Sequence, residues 1–337
     1  MKILVFSWNT QSIGIYESDE DAILESNRNT IFNTWSKLGY KPDFASNLEI
    51  FIDSYDPDLI VIGFQEDCYP GSYFHSYFLP IFLKNYTNIF YQSMLGIGIT
   101  TVKALTHFQL LTRGLQMSIY GKPSLKITNV QSQEYPLNYM RSKGGLAIYL
   151  TFENMGTIAF IDCHLPFNAN SLIEARNKNN PMIRQNSLVS VNLAFNNILE
   201  NLVLEKEVDH YFLFGDLNYR IDHHGSAREF AEGITKINLR EIYEQKDELK
   251  KQMDKDNIYK MFEGIANSGP EFYPTCKMDK NRTDRFTWKT GKFDQRIPSW
   301  CDRILNSKDI KCLYYNSFCH GNIMKSDHDA VIGIYEI

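Results

Sequence analysis

A chain of 337 residues with 43% hydrophobic and 14% aromatic residues carries enough apolar material for a large core. No Pro/Gly/Ser-rich linker, low-complexity run or repeat divides it, so one domain over residues 1–337 is expected. The net charge of −5 argues against a protein that grips long nucleic acid through many phosphates, while a small anionic ligand needs only a local cluster of Lys and Arg. No window approaches the roughly 18 to 20 continuous apolar residues of a membrane span. The apolar start Lys2 to Trp8 is too short for a secretion signal, and six cysteines without metal-ligand spacing read as reduced thiols in a cytoplasmic protein.

Taken in order, Ile3 to Trp8 is a strand that delivers Asn9 at its end. Amphipathic helices are expected around Arg28 to Leu38 and Phe44 to Ser54. Pro57 and Asp58 turn the chain into the apolar strand Leu59 to Phe64, which ends in Gln65 and Glu66. A Glu at a buried strand's end is costly unless a cation meets it, and magnesium binds through one or two carboxylates while keeping several waters. The aromatic stretch Tyr73 to Tyr91 is expected to be helix packed on a sheet, followed by strands over Ile97 to Gly114 and Leu125 to Val130. In Tyr135 to Leu150, Lys143 stands directly before Gly144 and Gly145, a cation where backbone can approach a phosphate or a simple hairpin. Leu137, Tyr139 and Met140 beside it suit either packing or a lipid surface.

Thr157 to His164 is another strand with a polar end. Arg176 and Asn177 follow in a polar loop. Met182 to Leu204 spaces Leu188, Val191, Phe195, Ile198 and Leu202 as one buried helix face. The stretch Tyr211 to Ile221, YFLFGDLNYRI, is the centre of the chain: its apolar run is a buried strand, Gly215 permits a sharp turn, and Asp216 and Asn218 emerge together at the carboxyl edge. Such a pair closes a turn, or it takes a proton from a water and holds that water in place. Short helices are expected over Ser226 to Ile234, Arg240 to Met253 and Ile258 to Phe262. Pro274 keeps Phe272 to Lys277 extended and displays Lys277. The tail carries PSWCDRIL (298–305) and SDHDAVIGIYEI (326–337), in which Asp302 could orient the imidazole of His328.

Asn9, Glu66, His164, Asp216, Asn218, Asp302, Asp327 and His328 thus fall in short polar clusters beside strand-like runs along the whole chain. In this order, with FGDLNYRI, PTCK, RIPSWCDRIL and SDH, and with SKGG and the His-Leu of CHLPFN upstream, they resemble the inositol polyphosphate 5-phosphatases of the endonuclease/exonuclease/phosphatase superfamily. The resemblance implies an α/β fold, a four-layered αββα sandwich with the site at one edge, and magnesium-dependent removal of the 5-phosphate from inositol phosphates or phosphoinositides. It implies Glu66 as metal ligand with Asn9 and Asp327 nearby, and Asp216 as base with Asn218 positioning the water. His328 held by Asp302, and His164, then bind the scissile phosphate, while Lys277, Arg296, Lys143, Arg176, Asn177 and Arg220 hold the rest of the substrate. A monomer in the cytoplasm, with peripheral contact at the cytosolic membrane face and no nucleic acid partner, completes the expectation. The chain departs from the pattern at Asn168, Cys276 and Asp294, where a His, a Tyr and a basic residue are usual. Two other readings are a nuclease of the same superfamily and a catalytically silent phosphoinositide-binding module.

Overall fold

The structure is a computed structural model that describes residues 1–10, 42–68, 83–98, 111–139, 141–167, 181–255, 260–279, 282–286, 296–318 and 326–337. The expected helix at Arg28 to Leu38, residues 73–82, and Met140, Asn168, Arg176, Asn177 and Asp294 lie outside them.

Among the described residues two six-stranded sheets form. In the first, β1 (Lys2–Asn9) runs parallel to β2 (Leu59–Cys68), and the order is β13 (Lys311–Phe318), β14 (Ala330–Glu336), β1, β2, β4 (Leu111–Gly121), β3 (Thr87–Gly98). In the second, β7 (Gly156–His164) runs parallel to β8 (His210–Asp216), and the order is β5 (Ile127–Pro136), β6 (Gly144–Phe152), β7, β8, β12 (Asp302–Ser307), β9 (Met261–Glu263). The helices are α1 (Pro42–Tyr55), α2 (Pro181–Leu199), α3 (Ala227–Gly233), α4 (Leu239–Lys246) and α5 (Glu248–Lys255), and β10 (Met278–Asp279) and β11 (Arg282–Phe286) make a separate hairpin.

The period of two along each strand assigns the layers. Ile3, Val5, Leu59 and Val61 of the first sheet share one core with Phe160, Phe212, Phe214 and Ile304 of the second. The alternate residues Leu4, Phe6, Ile60 and Ile62 pack with Leu48 and Ile52 of α1. On the other side Ala147, Ile161 and Leu213 pack with Val191, Phe195 and Ile198 of α2. Helix, sheet, sheet and helix are the four layers, and strands covered on both faces read as unbroken apolar runs for that reason. Gly63 lets the sheets approach closely: a Cβ there would stand 2.5 Å from the Phe214 ring and 3.0 Å from the Asp162 carboxyl.

Three expectations are corrected. Thr87 to Tyr91 is strand, because this segment pairs with β4, which supplies hydrogen bonds a helix would have made internally. Met261 and Phe262 are strand at the edge of β12, not helix. The single helix over Arg240 to Met253 is two, broken at Asp247, whose side chain caps the second by accepting from Lys250 N–H at 2.9 Å. In addition, Ser187–Leu204 has the length and a mean hydropathy of 1.2 that a membrane span would need, closer to that limit than the sequence reading held. Its residues Val191, Phe195, Ile198 and Leu202 are buried against the second sheet.

Asp247 also belongs to a fully buried charge cluster. Arg303 on β12 pairs with Asp247 at 3.0 Å and with Glu263 of β9, whose carboxylate also accepts from Tyr315 and Tyr243 at 2.9 and 3.2 Å. This guanidinium ties β12 to β9 and to the start of α5, directly beside Asp302. Removing one partner of a buried pair leaves uncompensated charge, which costs about 3–5 kcal/mol. Arg303→Met should therefore lose stability of that order in urea unfolding at neutral pH; a loss below about 1 kcal/mol would mean that the cluster neutralises itself by proton uptake.

Candidate active site

Following each inward-facing row of side chains to one edge of the sandwich builds the site. On β1 the row Ile3, Val5 continues as Ser7 and Asn9; on β8 the row Phe212, Phe214 continues as Asp216; on β7 Phe160 continues as Asp162 and His164. Register aligns them: His164 is the partner of Asp216 across the parallel β7–β8 pair, and Asp302 is its partner across the antiparallel β8–β12 pair. Carboxyl ends of parallel strands and the start of an antiparallel one fall together at this edge.

Asp216 is buried and fully engaged. Its Oδ1 accepts from Asn218 N–H at 3.1 Å, its Oδ2 accepts from Asn9 Nδ2 at 2.9 Å and lies 3.2 Å from His164 Nε2. Burial pushes its pKa up, but His164, His328 and Lys143 outweigh it and hold the carboxyl far below the ordinary range. Gly215 makes this approach possible: its φ is +125°, and a Cβ would stand 2.0 Å from Cys163 carbonyl oxygen. The turn reading of Asp216 and Asn218 holds, since the Asp216 to Asn218 contact is an Asx turn, and it leaves Asp216 at the strand-end edge where the site reading put it. The Asn218 amide itself donates to Leu165 carbonyl at 2.9 Å and accepts from Arg220 at 2.6 Å, so Asn9 is the side chain that donates to Asp216.

His328 Nδ1 lies 2.9 Å from Asp302 Oδ2, which also accepts from Thr275 Oγ1 at 2.7 Å. Burial would lower the imidazole's pKa, yet Asp302 and then Cys276 raise it well above the ordinary value, while burial pushes Asp302 up to about 6 against the pull of His328. At neutral pH the two form an ion pair. Trp8 Nε1 donates to His328 carbonyl at 3.1 Å, and Ser326 Oγ, which donates to Asn9 carbonyl at 2.6 Å, accepts from His328 N–H at 3.1 Å. Asp216, Asp302 and His328 bring one polar atom each within 4.8 Å of one another.

Glu66 enters by a distortion. The β2–β4 register shifts between Phe64 and Asp67, and Glu66 adopts φ +51°. A bulge with a left-handed residue re-aims a side chain, and here it carries Glu66 Oε1 to 3.7 Å from His164 Nε2 and 3.9 Å from Lys143 Nζ, on the opposite sheet. Burial first and the Lys143 charge second lower the His164 pKa, despite the pull of Asp216. Lys143 Nζ itself touches His164 Nε2.

The remaining expected residues are less uniformly placed. Lys277 Nζ pairs with Asp327 at 2.6 Å, so the two are joined to each other, and Asp327 Oδ1 stands 3.9 Å from His328 Nε2. The guanidiniums of Arg220 and Arg296 lie 3.8 and 5.2 Å from the Phe167 ring centroid. Sequence reasoning missed Thr275, Ser326, Trp8 and Phe167. Thr275, Ser326 and Phe167 lay inside motifs already quoted, while Trp8 gave no signal of its own because its role depends on a residue 320 positions away in sequence.

An αββα sandwich with a charged cluster at one strand-end edge is the architecture of the endonuclease/exonuclease/phosphatase type. A family model described as Endonuclease/Exonuclease/phosphatase family 2 matches residues 6–334, and the chain belongs to that family. The phosphatidylinositol 3,4,5-trisphosphate 5-phosphatase 2A of Danio rerio is 30% identical over 208 residues, 59% of this chain and 15% of that protein. The 2B protein of Danio rerio is 25% identical over 323 residues, 90% of this chain and 23% of that protein. The chain therefore spans less than a quarter of the length of these relatives. Among solved structures, the inositol polyphosphate 5-phosphatase domain of SPsynaptojanin, in complex with inositol (1,4)-bisphosphate and calcium ion, matches with a TM-score of 0.65 at 21% identity over 99% of this chain and 83% of that one. A Cimex nitrophorin, as a ferrous NO complex, matches with TM-scores of 0.53 to 0.58 across three structures at 17% identity, over 99% of this chain and 97% of that one. At these identities the two structures show the shared fold.

Beneath the site, Asp162 is fully buried with Gln65 Nε2 donating to its Oδ1 at 2.6 Å, and burial pushes its pKa well up. An acid whose folded-state pKa is raised keeps its full contribution below the unfolded pKa, near 3.9, and loses it as pH rises toward the folded value. Wild type should thus lose thermal stability relative to Asp162→Asn as pH rises from about 4 to 8. A Tm difference that stays constant over this range would show that Asp162 is ionised in the fold.

Proposed function

We propose that this chain is a magnesium-dependent phosphatase that hydrolyses the 5-phosphate of inositol polyphosphates or phosphoinositides. The observation that carries the reading is Asp216 held as an anion between Asn9 and His164, one strand away from the Asp302–His328 ion pair. Membership of the family and the similarity to 5-phosphatases support it.

Glu66 and Asn9 fit a hard divalent cation, since a part-exposed carboxylate and an amide at adjacent parallel strand ends are oxygen donors of the kind magnesium takes with several waters. When bound, the ion would cancel charge on the phosphoryl oxygens and lower the cost of the transition state. The protein's own residues do the rest. Lys143, His164 and the charged His328 surround the position of the scissile phosphate, which needs in-line placement and neutralised equatorial oxygens more than covalent help. Asp216 accepts the proton of the attacking water. Its depressed pKa makes it a weak base in the free site, but the same cations that depress it are neutralised when phosphate arrives, so binding raises its basicity as it is needed. The P–O bond to water forms as the P–O bond to the inositol oxygen breaks; that oxygen takes a proton from solvent, and inorganic phosphate leaves. In this proposal Arg220, Arg296 and Lys277 are the cations that hold further substrate groups. Lys277 must exchange its partner Asp327 for phosphate, which together with Asp294 in the adjoining sequence makes a weak hold on a neighbouring 4-phosphate part of this proposal. Tyr139, 99% exposed between Leu137 and Lys143, supports peripheral contact with a membrane surface, and a monomer in the cytoplasm meeting the cytosolic face is part of the same proposal.

The decisive assay is phosphate release from soluble and lipid inositol phosphates, with DNA as a control substrate and with and without magnesium. Release from DNA alone would make the chain a nuclease, and binding of phosphoinositide without release on any substrate would make it a binding module. Asp216→Asn conserves shape and should lower kcat by about 10²–10⁴-fold with little change in KM; a variant keeping more than about a tenth of wild-type kcat removes Asp216 from the role. Glu66→Ala should raise the magnesium concentration needed for half-maximal rate, and an unchanged magnesium titration would place the ion elsewhere. On the acid side, kcat/KM should fall as pH drops through about 6, where Asp302 takes up a proton and ceases to hold His328. Asp302→Asn should be slow throughout and lack that limb, whereas an unchanged limb would assign it to another group.

A further inference from the structure

The proposed chemistry leaves Cys276 of the PTCK motif unused, and its surroundings are unusual for a structural thiol. It is 1% exposed, yet Arg220 Nη1 donates to its sulfur at 3.8 Å and its backbone bridges both Ser299 and His328. Ser299 brings a second thiol to it. Cys276 N–H donates to Ser299 carbonyl at 3.1 Å, and the chain folds back at once, Cys301 N–H donating to the same carbonyl at 3.0 Å. Cys301 Sγ donates to Tyr219 carbonyl at 3.8 Å, and each thiol perturbs the proton affinity of the other, so the two side chains lie close together. Two cysteines from separate motifs thus meet behind His328 and Arg220.

We propose that Cys276 and Cys301 form a reversible disulfide that switches the site off, with a hydroperoxide as oxidant. A guanidinium beside a thiol favours the thiolate, the reactive form, and Arg220 supplies it to Cys276. The Cys276 sulfur attacks one peroxide oxygen, the O–O bond breaks, and the leaving hydroxide takes up the proton, giving a sulfenic acid and water. Cys301 then attacks the sulfenic sulfur, the S–O bond breaks, and the second water leaves with the Cys301 proton. Two thiols are oxidised and one hydrogen peroxide is reduced to two waters. His328 lines the site and is bridged to Cys276, so a peroxide that enters the site is one side chain from the sulfur. Closing the bond draws the sulfur from Arg220, which holds Asn218, and pulls on the segment bridged to His328.

The full chain, reduced and then exposed to hydrogen peroxide, tests this in two arms. Peptide mapping without reductant should find Cys276 linked to Cys301. Phosphatase activity should fall in proportion to the linked fraction and return with dithiothreitol, while Cys276→Ser and Cys301→Ser should show no reductant-reversible loss. The activity arm rests on the proposed phosphatase reading, and the mapping arm does not, so failure of that reading leaves the crosslink decided. Both thiols remaining reduced, Cys276 oxidised to sulfinic acid with Cys301 free, or a linked protein of undiminished activity would each overturn the proposal.

Discussion

Two buried carboxylates, Asp216 and Asp302, are register partners on neighbouring strands, and the site is organised around making that tolerable. Side by side in a low-dielectric interior they would repel, and each alone would be driven toward its neutral form. The structure separates their fates by giving them different company. Asp216 faces Asn9, His164 and Lys143 and remains an anion; Asp302 is matched to His328 and Thr275, and its charge is spent on the imidazole. A pair of acids at nearly equivalent strand positions thereby acquires two roles through environment alone.

That arrangement depends on β12 keeping its place between β8 and β9. Asp302 is the first residue of β12 and Arg303 the second, so one side chain faces the site and the next faces the opposite layer. Arg303 is anchored there by Asp247 and Glu263, with Tyr243 and Tyr315 completing the carboxylate's hydrogen bonds. A slip of one residue would exchange the two faces, placing the guanidinium against Asp216 and an unpaired acid in the outer layer. The buried cluster therefore fixes register as well as contributing contacts.

The fold by itself does not decide chemistry. A sandwich of this shape matches both a phosphatase domain and a nitrophorin over nearly the whole chain. What distinguishes sites on such a scaffold is the identity of the last inward-facing residues on each strand. In this chain they are Asn9, Glu66, His164, Asp216 and Asp302, drawn from both sheets, and the gap between the sheets at that edge is where a ligand would lie.

The sequence by itself determined the strands that carry the site and the polar residue at the end of each. An apolar run covered on both faces is unbroken, so polar residues gather at the strand end in the one-dimensional pattern, as Ser7 and Asn9, Asp162 and His164, and Asp216 do. It suggested that Asp302 could orient His328, but only the fold brings the two together, since they are 26 positions apart, Asp302 opening β12 and His328 lying just before β14 of the other sheet. What tertiary structure alone decided is which amide serves Asp216 and how Glu66 reaches it. Asn218 is committed to Leu165 and Arg220, and Asn9, 207 positions away, takes its place because β1 and β8 face each other across the seam. Strict alternation along β2 would send Glu66 outward, toward the layer of Phe64's neighbours. Only the bulge, set by pairing with β4, turns it inward, because side-chain direction in a strand follows ladder register and register belongs to the pair, not to either sequence.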